Sequence, residues 1–410
     1  MEIIVQCCAG LDVHKDSVEA CVRRMEPEGK LYHQIRHWGT ATRELMAMAD
    51  WFKAEGVTQV AMESTGVYWK PIFNILEGEF EVLLVNAQKW KHVPGHKTDV
   101  QDCQWIAQLL QHGLLKGSFI PPRWQRELRD LTRQRAQVIG EHSRISNRIQ
   151  KVLEDANIKL GSVASDVVGV SGRQMLQAII GGESDPAQLA DLARRRLRGK
   201  IPQLQEALYG KISEHHRWML ALLWDPLAAA EAFIARLDER IAQLTRPQQP
   251  ALEKLDAIPG IDRRVAEVVL AEIGPDMSPF PSHAHLASWA GVCPGNNESA
   301  GKRRSGKTTK GSRWLRQALV QAAWAASHKK DSYFHAHAHN LMRRRGRKRG
   351  LVGVAHSLLL VIYHILHDGT DYRDLGRDFL DRIRATHLIR YHLKQLQQLG
   401  FTVTLAPAPA

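Results

Sequence analysis

The chain has 410 residues and an ordinary hydrophobic content of 44%, which is enough for two or three domains with cores of their own. Its longest apolar run, near residues 357–366, is shorter than the roughly 20 residues of a membrane span, and the N-terminus lacks a signal-peptide pattern. The five cysteines contain no CxxC pair, which argues against a zinc ribbon and a disulfide framework. We therefore expect a cytoplasmic protein with no membrane partner.

The net charge of +13 is concentrated in one segment. Residues 297–349 contain fifteen Lys or Arg and only two acids, so this segment carries the whole excess. A solvated surface would spread its charge more evenly along the chain. The pattern favours a polyanionic partner, and nucleic acid is the first candidate.

Residues 1–117 are predicted to form an α/β domain with a mixed sheet. Alternating apolar residues from Ile3 to Val13 indicate a first strand, and two more strands follow at 17–24 and 31–38. A helix near 42–54, a strand ending at Glu63, another helix, the buried strand EVLLVN and a last helix complete the order.

Residues 118–250 are predicted to form long helices, because apolar residues recur at steps of three and four. Three such seams run from Leu128 to Val152, from Ile201 to Leu222 and from Leu227 to Leu244. The spacing fits an intramolecular bundle and equally a coiled-coil arm that pairs two copies. Arg135 and His142 on the first seam would cost stability but could fix the register. Residues 161–172 and 181–186 are expected to be loops.

Residues 251–381 are predicted to form a third, helical domain. Leu255–Gly274 resembles a helix-hairpin-helix, whose turn offers backbone N–H groups to a phosphate, but Asp262 in that turn would repel one. A Gly-rich basic loop and another helix follow. Residues 382–410 are expected to be a short helix and a disordered tail.

Four acids stand out by their positions. Two end predicted strands, and two lie one turn apart on the inward side of the helix in KTDVQDCQWIAQLLQ. Each alone is explained by a turn cap or a helix start. As a set they would repel each other in one pocket unless a cation offsets them, and magnesium prefers such hard oxygen ligands. The sequence thus predicts a site for one or two Mg²⁺ ions, or Mn²⁺, held by Asp12, Glu63, Asp99 and Asp102.

The basic loop NNESAGKRRSGKTTKGSRWLR offers hydroxyl groups among its cations. A nucleophilic hydroxyl needs a base and charge stabilisation, and no neighbouring His/Asp pair supplies them. The hydroxyls could equally serve a flexible phosphate-binding loop. The candidates are Ser299, Ser305, Thr308, Thr309 and Ser312.

Six blocks, GLDVHKDS, AMESTGVYW, HKTDVQDC, IPGID…AEIG, ASWAGVCPGNNESAGK and TTKGSRWLRQAL, occur in the order found in the bacterial DEDD insertion-sequence transposases. The chain resembles this family, described as bridge-RNA-guided recombinases, over residues 5–115 and 255–330. The resemblance implies an RNase H-like, RuvC-like domain with metal ligands at Asp12, Glu63, Asp99 and Asp102. It also implies a C-terminal transposase domain whose nucleophile is Ser299.

The resemblance further implies excision and insertion of an insertion sequence by DNA cleavage, strand exchange and religation through a phosphoserine link. Donor and target DNA would be selected by a structured guide RNA, and dimers would pair into tetramers. The alternatives are a metal-dependent Holliday-junction-type endonuclease without serine catalysis and a non-enzymatic RNA-binding or architectural DNA protein. An adduct between protein and DNA would distinguish them.

Two groups of cations are candidate nucleic-acid contacts. One surrounds the serine, and the other lies in RRRGRKRG, where a solvated charge run is the alternative explanation. The nearby His335–His339 pair lacks a third ligand, and we interpret it as structural. The candidate contacts are Lys302, Arg303, Arg304, Lys307, Lys310, Arg313 and Arg316 near the serine, and Arg343, Arg344 and Arg345 in the later run.

Overall fold

A computed structural model describes residues 2–26, 29–64, 66–85, 100–294, 297–299 and 302–404, except for the side chains of residues 100–101, 297–299, 302–304 and 386. The chain divides into two compact units, Met1–Ile120 and Pro121–Ala410. Each unit is described by itself below.

The first unit contains a five-stranded mixed sheet. Its strands are β1 (Cys7–Val13), β2 (Ser17–Met25), β3 (Leu31–Gly39), β4 (Gln59–Glu63) and β5 (Glu81–Val85). The strand order is β3-β2-β1-β4-β5. The first three strands form antiparallel hairpins, whereas β4 pairs parallel to both β1 and β5. This arrangement confirms the predicted mixed sheet.

Helices cover both faces of this sheet. On one face, Ala9, Leu11 and Val13 join a large apolar core with helices α1 (Thr42–Ala54) and α2 (Trp69–Leu76). On the other face lies α3 (Val100–Gln111), whose Ile106, Leu109 and Leu110 pack against Cys8 and Ala61. Because both faces are buried, β1 is covered by side chains from each direction, and its polar residues need a specific reason to be there.

The second unit is mostly helical. Its N-terminal part contains α4 (Arg123–Asp155), α5 (Leu160–Val163), α6 (Val170–Ile180), α7 (Pro186–Asp191), a 3₁₀ turn (Arg195–Lys200), α8 (Ile201–Leu208) and α9 (Glu214–Thr245). A second 3₁₀ turn (Arg246–Gln248) leads to α10 (Gln249–Asp256), α11 (Arg263–Ile273) and α12 (His283–Ala290). Strands β6 (Asn297–Ser299) and β7 (Lys302–Ser305) precede α13 (Arg313–Ala326), α14 (Tyr333–Arg345), α15 (Arg347–Asp368) and α16 (Phe379–Gln398).

The two long helices α4 and α9 pack against each other within the chain. Val138 of α4 packs in one apolar cluster with Ala230 and Leu237 of α9. The polar residues of the first seam also have partners on α9. Arg135 Nη1 donates to Asp238 Oδ1 at 2.7 Å, and His142 Nε2 lies 3.0 Å from Glu231 Oε1. The pairing therefore includes polar contacts at defined positions, as expected for groups that set register.

Two sequence expectations for this region were wrong. The second seam does not form one helix, because the chain turns after Leu208. Its later part belongs with the third seam to a single helix, α9, which begins at a capping box formed by Ser213 and His216 and continues through Pro226. The predicted loop at 161–172 contains α5 and the start of α6. There, Gly172 lies so close to the backbone of Val167 that a Cβ atom would fall 2.0 Å from its carbonyl oxygen. Close packing, rather than a turn, explains that glycine.

Two helical stretches, Glu214–Asp256 and Arg347–Asp368, are long and apolar enough to cross a membrane by length and composition alone. The expectation that no segment reaches this length was therefore wrong. Core helices of soluble proteins share this length and composition. In α15, for example, Val354, Leu358, Leu359 and Ile362 are fully buried inside the protein.

Candidate functional site

The structure brings three of the four predicted acids together at one edge of the sheet. One carboxylate oxygen from each of Asp12, Glu63 and Asp102 lies within 4.8 Å of the other two. Asp12 and Asp102 are each only 6% exposed, and Glu63 is half-buried. Asp99, the fourth predicted ligand, lies outside the described residues.

Strand pairing explains how the first two acids meet. In the parallel register of β1 and β4, Leu11 is opposite Met62. Asp12 and Glu63 are the next residues on each strand, so their side chains leave neighbouring strands at the same level. Parallel strands with their carboxyl ends at one edge thus juxtapose residues that are 51 positions apart in sequence.

A glycine explains how the helix delivers the third acid. A Cβ atom on Gly10 would lie 2.2 Å from the carbonyl oxygen of Cys103 and 2.4 Å from the nitrogen of Ala107. Only glycine lets the backbone of α3 approach β1 so closely. Asp102 lies in the first turn of α3, where the helix dipole favours a carboxylate, and the close approach holds it beside Asp12.

One histidine and one glutamate lie beside Asp12, and sequence reasoning missed the glutamate. His14 Nε2 lies 3.1 Å from Asp12 Oδ2. Glu19 of β2 is the direct cross-strand partner of Asp12, and its Oε1 lies 2.6 Å from His37 Nδ1. The available signal was the short β1–β2 connection, because hairpin register places Glu19 opposite Asp12.

The donor set fits a divalent metal ion. Three carboxylates with oxygens this close, two of them buried, repel one another unless a cation lies among them. Mg²⁺ and Mn²⁺ bind such all-oxygen sites, whereas Zn²⁺ favours nitrogen and sulfur ligands. Asp12, Glu63 and Asp102 are therefore the described residues suited to hold the ion. The thiols nearby are poor ligands, because burial raises the pKa of Cys8, Cys21 and Cys103 to about 12.

In the second unit, Ser299 lies at the end of a β-hairpin. Strands β6 and β7 are antiparallel, and Ser299 is paired with Lys302, so two residues connect the strands there. A bridge between Pro294 and Thr308 closes the base of this hairpin. We call residues 294–312 the serine hairpin. The strands were missed by sequence reasoning because β6 and β7 lack alternating apolar residues.

The other candidate hydroxyls of the serine hairpin have contacts within the fold. The Ser305 hydroxyl accepts from the Lys307 N–H at 3.2 Å, and Thr308 accepts from Arg316 at 3.5 Å. Thr309 donates to the Ser288 carbonyl at 3.2 Å, and Ser312 is the N-cap of α13. These contacts give four of the five hydroxyls local structural roles.

The predicted cations form an exposed basic surface where the structure describes them. Lys307, Lys310 and Arg313 are exposed and Arg316 is half-buried, while the side chains of Lys302, Arg303 and Arg304 lie outside the description. In the later run, every residue from Arg343 to Arg349 is exposed. Arg347 stacks 4.4 Å from the ring centroid of Trp324, which is itself 40% exposed, so cations and an aromatic ring share this surface.

The Leu255–Gly274 segment has the predicted helix–turn–helix shape, and its acid, Asp262, caps the second helix. Asp262 is the N-cap of α11 and accepts from the Val265 N–H at 2.8 Å. The turn also packs into the protein, since a Cβ atom on Gly260 would lie 2.3 Å from the Ala322 carbonyl oxygen of α13. Both features have a structural explanation, and phosphate binding by this turn stays a prediction.

A mixed five-stranded sheet with an acidic cluster at the edge where β1 and β4 end fits an RNase H-like α/β domain, here accompanied by a mostly helical unit. Residues 9–158 match the DEDD transposase family of IS110 type, described as "Transposase". Residues 252–339 match the "Transposase IS116/IS110/IS902 family".

Two relatives extend this similarity across the middle of the chain. "Insertion element IS110 uncharacterized 43.6 kDa protein" of Streptomyces coelicolor is 26% identical over 302 residues, which cover 68% of this chain and 73% of that protein. "Putative transposase y4pF/y4sB" of Sinorhizobium fredii is 22% identical over 375 residues, 88% and 87% of the two chains. The chain belongs to the IS110 family of insertion-sequence transposases, and DNA is therefore its substrate.

Proposed function

We propose that this transposase excises and inserts its element by serine-dependent DNA strand transfer assisted by a divalent metal ion. The observation that carries the proposal is the cluster of Asp12, Glu63 and Asp102, whose oxygens lie within 4.8 Å of one another. When bound, Mg²⁺ supplies positive charge that stabilises a reacting phosphate. Asp99, one turn before Asp102 in sequence, is proposed as a fourth ligand.

Ser299 is the proposed nucleophile. Its Oγ attacks the phosphorus of a DNA phosphodiester and loses its proton, the bond to the neighbouring sugar oxygen breaks, and that strand leaves with a free hydroxyl. The phosphoserine ester retains the energy of the broken bond, so another strand's hydroxyl can displace Ser299 and rejoin the DNA without ATP. The resemblance of ASWAGVCPGNNESAGK to the serine-bearing block of the family supports the choice of Ser299.

The exposed cations are proposed to bind phosphates. Lys307 and Lys310 lie in the serine hairpin and Arg313 and Arg316 follow it. Together with Lys302, Arg303 and Arg304, they would hold the DNA near Ser299. The Arg343–Arg349 run, with Trp324 beside it, combines phosphate contacts with a surface on which a base can stack.

We further propose that a structured RNA from the element selects donor and target DNA, and that homodimers pair into tetramers. The protein would then recognise the shape and backbone of the RNA, while base pairing supplies sequence specificity. The concentrated positive charge of residues 297–349 supports a polyanionic partner of this kind. We propose that the enzyme acts on DNA in the cytoplasm, without a membrane partner.

The test is a search for a covalent adduct. Full-length protein, Mg²⁺, the terminal DNA of the element and RNA transcribed from its noncoding end are incubated and then denatured. We expect a protein–DNA adduct with the wild type and none with Ser299→Ala, while Ser305→Ala retains it. Cleavage that needs Asp102 and survives Ser299→Ala would instead indicate the alternative function, a metal-dependent Holliday-junction-type endonuclease. Adduct formation without any added or copurified RNA would contradict the guide.

A further inference from the structure

Glu272, near the end of α11, is a buried carboxylate that the proposed chemistry does not use. Its side chain is 1% exposed and accepts three side-chain hydrogen bonds. Arg133 of α4 donates from Nε to Oε1 at 2.8 Å and from Nη2 to Oε2 at 3.0 Å. The Ser312 hydroxyl donates to Oε2 at 2.9 Å. One carboxylate thus joins three elements of the second unit that are far apart in sequence.

Helix α4 is tied to the same point through the backbone. Arg129, one turn before Arg133, donates from Nε to the Ala271 carbonyl at 2.8 Å and from Nη2 to the Glu272 carbonyl. Burial lowers the pKa of Arg129 to about 10, which leaves it charged near neutral pH. The end of α11 is therefore fixed to the long helix by two arginines, through both its side chain and its carbonyls.

Ser312 fixes the base of the serine hairpin to this point. It is the N-cap of α13, where its hydroxyl accepts from the Leu315 N–H at 3.3 Å while donating to Glu272. The preceding Gly311 is confined as well, since a Cβ atom there would lie 2.2 Å from the carbonyl carbon of Ala290. The hairpin therefore leaves the body of the protein at a base held by hydrogen bonds and close backbone contact.

A packing contact between α11 and α13 alone would not need a buried charge. Replacing a buried ion pair by apolar side chains of similar size is often neutral or stabilising. What directional hydrogen bonds add is a fixed position and orientation of the groups that they join. One of the groups fixed in this way is Ser312, the last residue of the hairpin that carries Ser299.

We propose that Glu272 is a positioning residue for the nucleophile: it links α4, through Arg133, to the base of the serine hairpin, through Ser312. The proposal rests on the proposed role of Ser299. A displacement of about 1 Å in a reacting group costs on the order of 100-fold in rate, so loss of the link should slow attack without preventing DNA binding.

The test separates the link from the helix cap. Ser312→Asp retains a good N-cap but places a second carboxylate against Glu272, whereas Ser312→Thr retains both the cap and the hydroxyl donor. We measure the rate of covalent adduct formation at saturating DNA, the DNA affinity and the melting temperature. Ser312→Asp should form the adduct roughly 10- to 100-fold more slowly with DNA affinity unchanged within about twofold. Ser312→Thr should stay within about twofold of the wild-type rate.

If Ser312→Asp also lowers the melting temperature, a second, compensating substitution separates loss of the link from loss of stability. In Ser312→Asp combined with Glu272→Gln, the Gln amide can donate to the Asp carboxylate while its oxygen still accepts from Arg133 Nε, so the link is restored with one of the two Arg133 hydrogen bonds lost, and partial recovery of the rate is expected. Recovery of the adduct rate supports the proposal. A wild-type rate in Ser312→Asp, or no recovery in the double variant, overturns it. An adduct that persists in Ser299→Ala would instead refute the proposed nucleophile, so the two failures are distinguishable.

Discussion

Asp102→Asn should make the metal-free protein more stable while abolishing its stabilisation by metal. The side chain is 6% exposed and lies within 4.8 Å of two other carboxylates. At an effective dielectric constant of about 20, each such pair of charges repels by about 3 kcal/mol. Partial protonation and relaxation reduce this energy, so we expect a net gain of about 1–2 kcal/mol for the metal-free variant, or about 4 °C or more in melting temperature.

Metal should raise the melting temperature of the wild type but not that of Asp102→Asn, so the variant is the more stable protein only without metal. A cation at about 100 times its dissociation constant stabilises the folded state by about 2.7 kcal/mol. Thermal unfolding with EDTA and with Mn²⁺ then measures both effects. Asp50→Asn is the matched control, because Asp50 is exposed on α1 of the same unit and its loss should change stability by less than about 0.5 kcal/mol. If Asp102→Asn melts lower in EDTA and still responds fully to Mn²⁺, the metal site is wrong.

Three further predictions follow from packing and charge. Gly10→Ala should force α3 away from β1, lower the free energy of unfolding by about 1–3 kcal/mol and weaken Mn²⁺ binding. Gly140→Ala, in an open position on α4, is the control and should leave the free energy of unfolding, measured in urea, unchanged or slightly higher. Arg135→Met should cost about 1–3 kcal/mol, because it removes the buried guanidinium 2.7 Å from Glu267 and leaves that carboxylate paired with Arg263 alone; a loss below about 0.5 kcal/mol would contradict this account. Burial raises the pKa of the Cys8, Cys21 and Cys103 thiols from 9.0 to about 12, so these thiols favour the folded state while they are neutral. Their contribution to stability should be fully present below pH 9 and be lost as the pH rises toward 12. Rapid alkylation of these three thiols in the native protein at about pH 8 would refute this account.

Much of the first unit could be predicted from sequence, because its signals are local. Alternating apolar residues located β1, although the predicted strand began at Ile3 and β1 begins at Cys7, and α1 has the predicted bounds Thr42–Ala54. The acids at strand ends and one helical turn were grouped correctly for Asp12, Glu63 and Asp102, since parallel strands bring their carboxyl ends to one edge. Glu19 was missed because cross-strand neighbours depend on a register that no single strand reveals.

The second unit was harder to predict, because its decisive contacts join distant segments. Helix α9 continues through Pro226, because the packing of α9 on α4 outweighs the local cost of a proline inside a helix. Strands β6 and β7 consist of polar and charged residues, so no alternation of apolar residues predicted this hairpin. The link from Arg133 to Glu272 spans 139 residues, and no periodic pattern encodes such a pair.

The sequence alone determined the chemistry available to this protein: the acids, the hydroxyls and the concentrated positive charge, all of which are visible as residue types in order. Only the tertiary structure decided which of them meet. The backbone approach at Gly10 brings Asp102 to Asp12, and the fold of the second unit gives Ser312 a structural contact with Glu272. The physical reason is that composition and periodicity report on faces of single elements, whereas a site is made where elements pack at distances only the whole fold sets.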